Sequence, residues 1–442
     1  MRSHPEWQGR RVAVFGAARS GVAAANLLVE LGAEVVLSDT LPDPKPEGLD
    51  PRVRVLGGGN RLEGATVLVP SPGIPPSAPA LRDAQAAGVR IVSEIELGAS
   101  VATAPIVAIT GTDGKSTTTE MIGAVIRAAG RPAVVAGNIG DPLCARARDV
   151  GPEGVLVVEV SEFQLWSCGH FRPRVAVVTN VAEDHADYFV GDPDGCARAM
   201  ERCLADLGAG DVAILRRDDA RVMAFGVPAG VEVVGFGPRS APLGWGFDGL
   251  HLTRDGLPVM LRDALPLPGV HNGANALCAL AAGVARGLPL APMTEALRVF
   301  QGLPHRLELV RVRRGVRYVD DSKATNPHAA AVGLRAVEGA VLVITGGYDK
   351  GLDLEIFVRE VLPRARHVVL TGPTADRMEA ALAGRVGASR AVDMREAVAQ
   401  AASRASPGDT VLLSPAASSF DAYRSYHHRG QVFRAEVEAL PD

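Results

Sequence analysis

The sequence lacks several features that mark membrane or secreted proteins. No apolar run reaches about 18 residues without glycine, proline or a charged residue, so we expect no membrane-spanning segment. Residues 1–11 are polar and predict no signal peptide. The five cysteines form no CxxC pair and no Cys/His cluster with zinc spacing. Scattered thiols in odd number are typical of a reducing compartment, so we expect a cytoplasmic protein.

The sequence also lacks a strong net charge and contains little lysine. Its 46 basic and 50 acidic residues give a net charge of −4, with both signs mixed along the chain. This balance argues against nucleic acid or an anionic membrane as the main partner. Since only four basic residues are lysines, each is a candidate for a specific role. They are Lys45, Lys115, Lys323 and Lys350.

What the sequence does contain is an alternation of short apolar strands and helical patterns. The chain is too long for a single core, and 47% of its residues are apolar, which predicts about two to four folded domains. We predict an α/β protein with mainly parallel sheets and three domains. Their bounds are expected at residues 1–100, 101–303 and 304–442.

The N-terminal segment begins with a strand, a glycine loop, a helix and a second strand. The strand at 12–15 leads into the loop at 16–21, and the next strand at 34–38 is closed by Asp39. This pattern predicts a βαβ unit with a right-handed crossover. It nearly matches the dinucleotide fingerprint, so an NAD-binding fold is an alternative. Ala18 counts against NAD, because that fingerprint has a glycine there to let the backbone approach a pyrophosphate.

A glycine loop in the central segment has the chemistry of a phosphate-binding site. The sequence Thr110-Gly-Thr-Asp-Gly-Lys-Ser-Thr117 joins a strand at 105–110 to a helix at 116–129. Its glycines let backbone N–H groups turn toward an anion, and the helix N-terminus adds partial positive charge. Lys115 can reach the β- and γ-phosphates and Ser116 can bind Mg²⁺. The strict Walker pattern requires glycine at the place of Ile109, so the loop matches a shorter variant.

Further charged groups follow the apolar strands of the same segment. Glu159 lies in the strand at 155–160, where a buried carboxylate is costly without a partner. Asp184 and His185 follow the strand at 174–179. Because ligands of open α/β sheets bind beyond the carboxyl ends of the strands, these groups are candidates for one cluster at the phosphate loop. Solvated loop charges are the alternative.

Taken in order, the motifs of the whole chain resemble the Mur ligase family. Any one of them is weak, but the ordered set is specific. Besides the two glycine loops it comprises Ser71-Pro-Gly-Ile-Pro75, Gly137-Asn-Ile-Gly140, Glu159-Val-Ser-Glu-Phe-Gln-Leu165, His271-Asn-Gly-Ala-Asn275, Leu303-Pro-His-Arg-Leu-Glu308, Asp321-Ser-Lys-Ala-Thr-Asn326, Gly346-Gly-Tyr-Asp-Lys350 and Leu413-Ser-Pro-Ala-Ala-Ser-Ser419. Members of the family build the peptide of bacterial cell-wall precursors with ATP.

The resemblance implies an ATP-dependent amide ligase of peptidoglycan precursor synthesis. Its D-glutamate-adding members resemble this chain most, which implies UDP-N-acetylmuramoyl-L-alanine and D-glutamate as substrates, ATP and Mg²⁺ as cofactors, and an acyl-phosphate intermediate. It further implies a Rossmann-like UDP-binding domain, a central ATPase-type domain, and a Rossmann-like C-terminal domain for the amino acid. We expect a monomer that closes around its ligands.

The resemblance also implies site residues. Those for the UDP-substrate are Arg19, Ser20, Gly21, Asp39, Thr40, Gly73, Asn138 and His185. Those for ATP are Gly111, Thr112, Gly114, Lys115, Ser116, Thr117, Asn272, Asn275, Arg306 and Asp321. Those for D-glutamate are Thr325, Lys350, Ser419, Phe420 and Tyr426. The metal ligands are Ser116, Glu159 and His185, and the catalytic residues are Lys115, His185 and Arg306. Whether His185 or a neighbouring carboxylate accepts the proton of the amine stays open.

The pattern departs from the family in the central segment. Many members have a carbamylated lysine about fifteen residues after the histidine that corresponds to His185. In this chain the corresponding position is occupied by Met200. Glu201 is the adjacent carboxylate, although a solvated helix residue is the plainer interpretation. Asp113 and Glu162 add negative charge near the phosphate loop. Alternative functions are a sibling Mur ligase or a folylpolyglutamate synthase-like ligase with another amino acid, or a non-catalytic nucleotide-binding protein.

Overall fold

The computed structural model describes residues 4–182, 188–239, 242–267, 269–337, 339–349 and 351–441. The chain divides into two units. Unit 1 comprises Met1–Pro266 and Val270–Phe300, and unit 2 comprises Leu267–Gly269 and Gln301–Asp442. The three domain bounds expected from the sequence stay a prediction.

The first sheet of unit 1 is a parallel sheet of strand order β3-β2-β1-β4-β5. Its strands are β1 (Arg11–Phe15), β2 (Glu34–Ser38), β3 (Arg54–Leu56), β4 (Val67–Pro70) and β5 (Arg90–Ile91). The helices of this part are α1 (Arg19–Glu30), α2 (Pro79–Ala86) and α3 (Glu94–Val101). The predicted βαβ unit is confirmed, with Val12 of β1 in register with Val35 of β2. Helix α1 begins three residues earlier than the apolar pattern indicated, because the extended Ala18 ends the loop and Arg19 and Ser20 form the first turn.

The second sheet of unit 1 has strand order β14-β13-β12-β11-β10-β9-β6-β8-β7. Its strands are β6 (Ile106–Thr110), β7 (Ala133–Gly137), β8 (Val155–Glu159), β9 (Val175–Val178), β10 (Val212–Arg216), β11 (Glu232–Phe236), β12 (Trp245–Phe247), β13 (His251–Arg254) and β14 (Leu257–Leu261). The strands from β7 to β12 are parallel, while β12, β13 and β14 form antiparallel pairs. The chain from β12 to β14 therefore forms two successive hairpins.

Helices cover this second sheet. They are α4 (Lys115–Ala128), α5 (Leu143–Arg146), α6 (Glu162–Leu165), α7 (Gly195–Ala205), α8 (Ala220–Met223), α9 (Val270–Ala285) and α10 (Leu290–Arg298), with a 3-10 turn at Arg262–Ala264. Helix α4 buries Met121, Ile122, Val125 and Ile126 completely. Since burying one such side chain stabilises a fold by about 1.5–3 kcal/mol, this face anchors the helix that the phosphate loop opens.

The sheet of unit 2 has strand order β15-β16-β20-β17-β18-β19. Its strands are β15 (Glu308–Arg313), β16 (Val316–Asp320), β17 (Val341–Gly346), β18 (Ala365–Thr371), β19 (Ala388–Arg390) and β20 (Thr410–Leu413). Its helices are α11 (Pro327–Ala336), α12 (Glu355–Val361), α13 (Ala375–Leu382), α14 (Met394–Arg404) and α15 (Tyr426–Glu438). Only the β15–β16 hairpin is antiparallel among these pairs.

The α/β architecture expected from the sequence is confirmed. Apolar side chains fill both faces of each sheet, which explains why the central strands read as continuous apolar runs. Within the described ranges, no helix combines the length and the apolar character that crossing a bilayer requires.

Candidate active site

The phosphate loop lies at the carboxyl edge of the second sheet, between β6 and α4. Gly111 has φ = 132° and Gly114 has φ = 80°, conformations that favour glycine. A β-carbon at Gly111 would lie 2.1 Å from Thr179 Oγ1, and one at Gly114 would lie 2.6 Å from Asn275 Oδ1. Both glycines are therefore required by backbone geometry and by close neighbours.

Thr179 and Asn180, which directly follow β9, hold this loop in place. Asn180 accepts from Thr112 N through its carbonyl (3.0 Å) and from Asp113 N through Oδ1 (2.9 Å). Its Nδ2 and the hydroxyl of Thr179 both donate to Asp113 O, at 2.9 and 2.7 Å. Neither residue carries a sequence motif that assigns it a role. Their position directly after a buried strand next to β6 was the available signal.

Lys115 opens helix α4 and is folded back over the loop. Its Nζ donates to Gly111 O (2.5 Å) and Thr112 O (3.0 Å), and lies 3.8 Å from Glu162 Oε2. The next residue, Ser116, is buried in the first turn of the helix. The loop therefore brings an ammonium group, a hydroxyl and a helix N-terminus together, a combination suited to a polyphosphate.

Glu159 ends β8 beside the phosphate loop, since it is in register with Ile109 of β6. It is 2% exposed. Its Oε1 accepts from Asn138 Nδ2 at 2.7 Å, while its Oε2 has no hydrogen-bond partner within the described part of the chain. A buried carboxylate oxygen without a partner is costly, and a cation would satisfy it.

Three expected site residues cannot be placed here. His185 and Lys350 lie outside the described residues, as does Asp184. Their assigned roles stay predictions.

Two asparagines of helix α9 support the phosphate loop from behind. Asn275 Oδ1 accepts from Thr118 Oγ1 at 3.2 Å, and Asn275 Nδ2 donates to Asn272 Oδ1 at 3.2 Å. Both asparagines are buried. The structure thus brings these two expected ATP residues to the loop, in contact with its helix.

The glycine loop after β1 lies at the carboxyl edge of the first sheet of unit 1. Asp39 Oδ2 accepts from Ala17 N (2.7 Å) and its Oδ1 accepts from Leu41 N (2.9 Å). A β-carbon at Gly21 would lie 1.9 Å from Gly16 O, so the helix starts close to the loop. Asp39 therefore braces the turn with both of its oxygens.

Arg19 links this loop to the one that carries Asn138. Its guanidinium donates to Gly140 O and lies 3.0 Å from Asp141 Oδ1. Arg19 itself is exposed. The structure thus brings Arg19 to the loop after β7, on the side where Asn138 contacts Glu159.

Gly73 lies in an exposed turn of the N-terminal part, with open space around it. Tyr188 Oη donates to Pro72 O (3.0 Å) and Ile74 O (2.9 Å), so it fixes this turn. Tyr188 could not be assigned to this turn from the sequence, because more than a hundred residues separate the two. The other expected residues of this edge, Ser20 and Thr40, are partly or fully exposed.

In unit 2, Asp321 is a buried carboxyl group after β16. Its Oδ1 accepts from Leu307 N and its Oδ2 from Ser414 Oγ, both at 3.3 Å. Burial raises the pKa of Asp321 to about 7, against the opposing effect of the nearby Arg306 charge. The Arg306 and Asp321 segments are thus neighbours.

The expected D-glutamate residues of unit 2 differ in exposure. Ser419 is buried, whereas Phe420 is 73% exposed. Lys323 Nζ lies 5.8 Å from the centroid of the Tyr426 ring, and Thr325 N donates to Lys323 O at 2.9 Å. The structure therefore brings Thr325 and Tyr426 to the same lysine.

A buried arginine joins two loops of unit 2 that carry expected ligand residues. Arg429 is 2% exposed. It donates to Ser322 Oγ and Ser322 O at 3.0 and 2.9 Å, and to Ala417 O and Ser418 O at 3.1 and 3.2 Å. Arg429 could not be singled out from the sequence, since one arginine among many carries no signal of burial.

The register of the family's carbamylated lysine is occupied by a core residue. Met200 is fully buried among the apolar residues of helix α7 and its neighbours. The adjacent Glu201 accepts from Gly226 N at 2.7 Å. Glu201 therefore caps a loop, whereas the plainer interpretation expected a solvated helix residue.

Comparison with known proteins covers nearly the whole chain. Family models match as the Mur ligase MurD-like N-terminal domain (residues 10–93), the Mur ligase middle domain (109–283) and the Mur ligase glutamate ligase domain (305–417). A UDP-N-acetylmuramoylalanine–D-glutamate ligase from Pelotomaculum thermopropionicum is 40% identical over 98% of each chain. A protein of the same name from Salinibacter ruber is 41% identical over 97% of this chain and 98% of its own.

A solved structure agrees in fold. The UDP-N-acetylmuramate-alanine ligase from Thermotoga maritima matches 97% of this chain and 99% of its own, with a TM-score of 0.63 at 17% identity. The family models and the two relatives settle the family. The chain belongs to the Mur ligase family.

Proposed function

We propose that this chain is an ATP-dependent ligase that joins D-glutamate to UDP-N-acetylmuramoyl-L-alanine. The observation that carries the proposal is the phosphate loop with Lys115 and the buried Glu159, in a chain that is similar along nearly its whole length to ligases named for this reaction. We assign the UDP-substrate to residues 1–100, ATP to 101–303 and D-glutamate to 304–442.

The first step activates the substrate carboxylate. A carboxylate oxygen attacks the γ-phosphorus of ATP, the bond to the β-phosphate oxygen breaks, and an acyl phosphate and ADP result. Lys115 stabilises the charge on the transferring phosphoryl group, and the backbone N–H groups of the loop bind the phosphates. From unit 2 we assign Arg306 to the γ-phosphate and Asp321 to the ribose.

The residues at the loop fit a magnesium ion. Glu159 has a buried oxygen without a partner in the described chain, and Ser116 lies in the first turn of α4, so these two would hold it together with His185. The carboxylate oxygen of Glu159 and the hydroxyl oxygen of Ser116 are ligands of the kind that Mg²⁺ prefers. When bound, the ion neutralises phosphate charge.

The second step forms the amide. The neutral amine of D-glutamate attacks the acyl carbon, and the tetrahedral intermediate expels phosphate, which keeps the former carboxylate oxygen. We assign Thr325, Lys350, Ser419, Phe420 and Tyr426 to D-glutamate, because its two carboxylates need hydroxyl and cationic donors.

The proposal places the reaction in the cytoplasm and in a monomer. All five cysteines are buried thiols, which supports a reducing compartment. Gel filtration with light scattering tests the monomer.

Phosphate release from ATP tests the proposed reaction. The protein is supplied with UDP-N-acetylmuramoyl-L-alanine and, in turn, D-glutamate, L-glutamate, L-lysine and meso-diaminopimelate. We expect release with D-glutamate only, together with a product whose mass is that of the two substrates less water. Release with another amino acid alone indicates a sibling ligase, and no release with any of them contradicts the proposal.

A further inference from the structure

A cavity between helices α2 and α7 of unit 1 lies apart from the residues assigned above, and we infer that it binds a small aromatic phosphate. Its volume is about 490 Å³. This volume lies within the range of about 300–1,000 Å³ that is usual for small-molecule sites. None of the described residues that we assigned to ATP, the UDP-substrate or D-glutamate lines this α2–α7 cavity.

The charged part of the lining favours an anion. Among the described residues of the lining are three arginines and a single carboxylate, that of Asp192. The arginines are Arg82 of α2 and Arg198 and Arg202 of α7. Gly195, the first residue of α7, also lines the cavity, so the helix adds the partial positive charge of its N-terminus.

Two of these arginines have donor groups that a ligand can use. The Arg82 side chain is exposed and makes neither a hydrogen bond nor an ion pair within the described ranges. Arg202 donates through Nε to Cys168 O at 2.9 Å, and its terminal nitrogens have no partner among the residues that the structure describes. Arg198 is paired with Asp192. A phosphate group suits this set, because it carries more than one charge and several acceptor oxygens.

Another part of the lining is aromatic and apolar. Trp166, Tyr188 and Phe189 belong to it, together with Val190, which is 68% exposed. The rings of Tyr188 and Phe189 lie 5.0 Å apart, centroid to centroid, in an edge-to-face arrangement. Such a surface packs well against a planar ring, which inorganic phosphate lacks. The lining therefore fits a ligand that carries its phosphate on an aromatic group.

Tyr188 connects the α2–α7 cavity to the turn that carries Gly73. Tyr188 lines the cavity, and its hydroxyl donates to Pro72 O and Ile74 O at 3.0 and 2.9 Å, on either side of Gly73. A ligand that packs against Tyr188 should therefore change the affinity of this turn for the UDP-substrate. This consequence rests on the proposed function, whereas the binding itself does not.

Fluorine NMR of the full chain labelled with 5-fluorotryptophan tests the binding at the cavity. Of the three tryptophans, Trp7, Trp166 and Trp245, only Trp166 lines it, and Trp166→Phe assigns the resonance. The β,γ-imido analogue of ATP with Mg²⁺ and UDP-N-acetylmuramoyl-L-alanine are kept saturating, so that the two glycine loops are occupied. Phenyl phosphate should then shift the Trp166 resonance saturably and leave the other two unchanged.

Partial ligands and arginine variants show which groups are recognised. Inorganic phosphate lacks the ring and phenol lacks the charge, so each should bind at least about tenfold more weakly than phenyl phosphate. Arg82→Gln should weaken phenyl phosphate by about tenfold, and Arg82→Lys, which keeps the charge, by less. The matched control is Arg395→Gln, an exposed arginine of α14 in unit 2, which should bind as the natural chain does.

Two results overturn the inference: no saturable shift of the Trp166 resonance, or the same affinity in Arg82→Gln as in the natural chain. Steady-state kinetics test the coupling. Phenyl phosphate at a concentration that saturates the natural chain should change its KM for UDP-N-acetylmuramoyl-L-alanine by at least about twofold, and that of Arg82→Gln by less. An unchanged KM overturns the coupling. Absence of any ligase reaction contradicts the proposed function, while the NMR result still decides the binding.

Discussion

The two glycine loops of unit 1 follow the same plan and differ in how their charges are balanced. Each lies between a buried strand and a helix. In the loop after β1, Asp39 is satisfied by Ala17 N–H and Leu41 N–H. At the phosphate loop, Lys115 lies over its own loop and Glu159 keeps a buried oxygen without a partner in the described chain.

The difference separates a loop completed by its own chain from one that ligands complete. Substitutions in the loop after β1 should therefore lower stability as well as binding. Substitutions of the charged groups at the phosphate loop should lower activity and leave the free protein as stable as before, or more so. The loops joined by Arg429 in unit 2 belong to the first kind.

The largest effect is expected for Lys115→Met. Removing the ammonium group takes away charge stabilisation of the transferring phosphoryl group, which should lower kcat by about 10²–10³-fold. Urea unfolding should change by less than about 1 kcal/mol, since Lys115 lies over a loop held by Asn180. Lys45→Met is the control, because Lys45 is exposed and pairs with Asp43. A nearly normal kcat in Lys115→Met would contradict the view that the charged groups of the phosphate loop serve the ligand.

Arg429→Met should destabilise the protein by about 3 kcal/mol. The substitution leaves buried carbonyl groups of Ala417 and Ser418 without their donor, and each such group is costly. Urea unfolding measures the loss. Arg434→Met, which removes a partly exposed pair with Glu308, should cost less than about 1 kcal/mol. Equal losses in the two variants would show that burial of Arg429 is not what matters.

Asp39→Ala should lower the free energy of unfolding by about 2 kcal/mol. Two backbone N–H groups lose a charged acceptor, and hydrogen bonds to charged groups contribute about 1.5–3 kcal/mol. The KM for the UDP-substrate should rise in the same variant. Unchanged stability with raised KM would assign Asp39 to the ligand alone.

Stability should fall as the pH rises from 5 to 7. Burial raises the pKa of Asp321 to about 7, above its unfolded value of about 3.9. In this window the folded protein holds a proton that the unfolded chain has released, so unfolding becomes easier by up to about 1.4 kcal/mol per pH unit. In Asp321→Asn the free energy of unfolding, measured by urea titration, should fall less steeply with pH by the amount that one bound proton contributes. A slope equal to that of the natural chain would contradict the assignment.

The smallest effect, and the one of opposite sign, is expected for Glu159→Gln. Replacing a buried charge that has one oxygen without a partner should leave the free protein unchanged or more stable by about 1 kcal/mol. Manganese(II) binding should weaken at the same time. A clear loss of stability would place Glu159 with Asp39 among residues that complete their own loop.

The fold and the phosphate loop could be predicted because their signals are local. Apolar runs such as residues 106–110 mark strands, and the glycine–lysine–serine sequence after β6 marks a phosphate-binding loop. Asn180, Tyr188 and Arg429 were missed because their roles arise from contacts with residues distant in sequence or from burial. A side chain's partner across the fold is not encoded in its immediate neighbours.

An isotope measurement tests the central claim most directly. UDP-N-acetylmuramoyl-L-alanine labelled with ¹⁸O in its carboxylate is incubated with the protein, ATP and D-glutamate, and the released phosphate is analysed by mass spectrometry. The account predicts that each phosphate carries one oxygen from the carboxylate, since the acyl phosphate loses phosphate with that oxygen attached. Unlabelled phosphate would show that water attacks ATP and would contradict it.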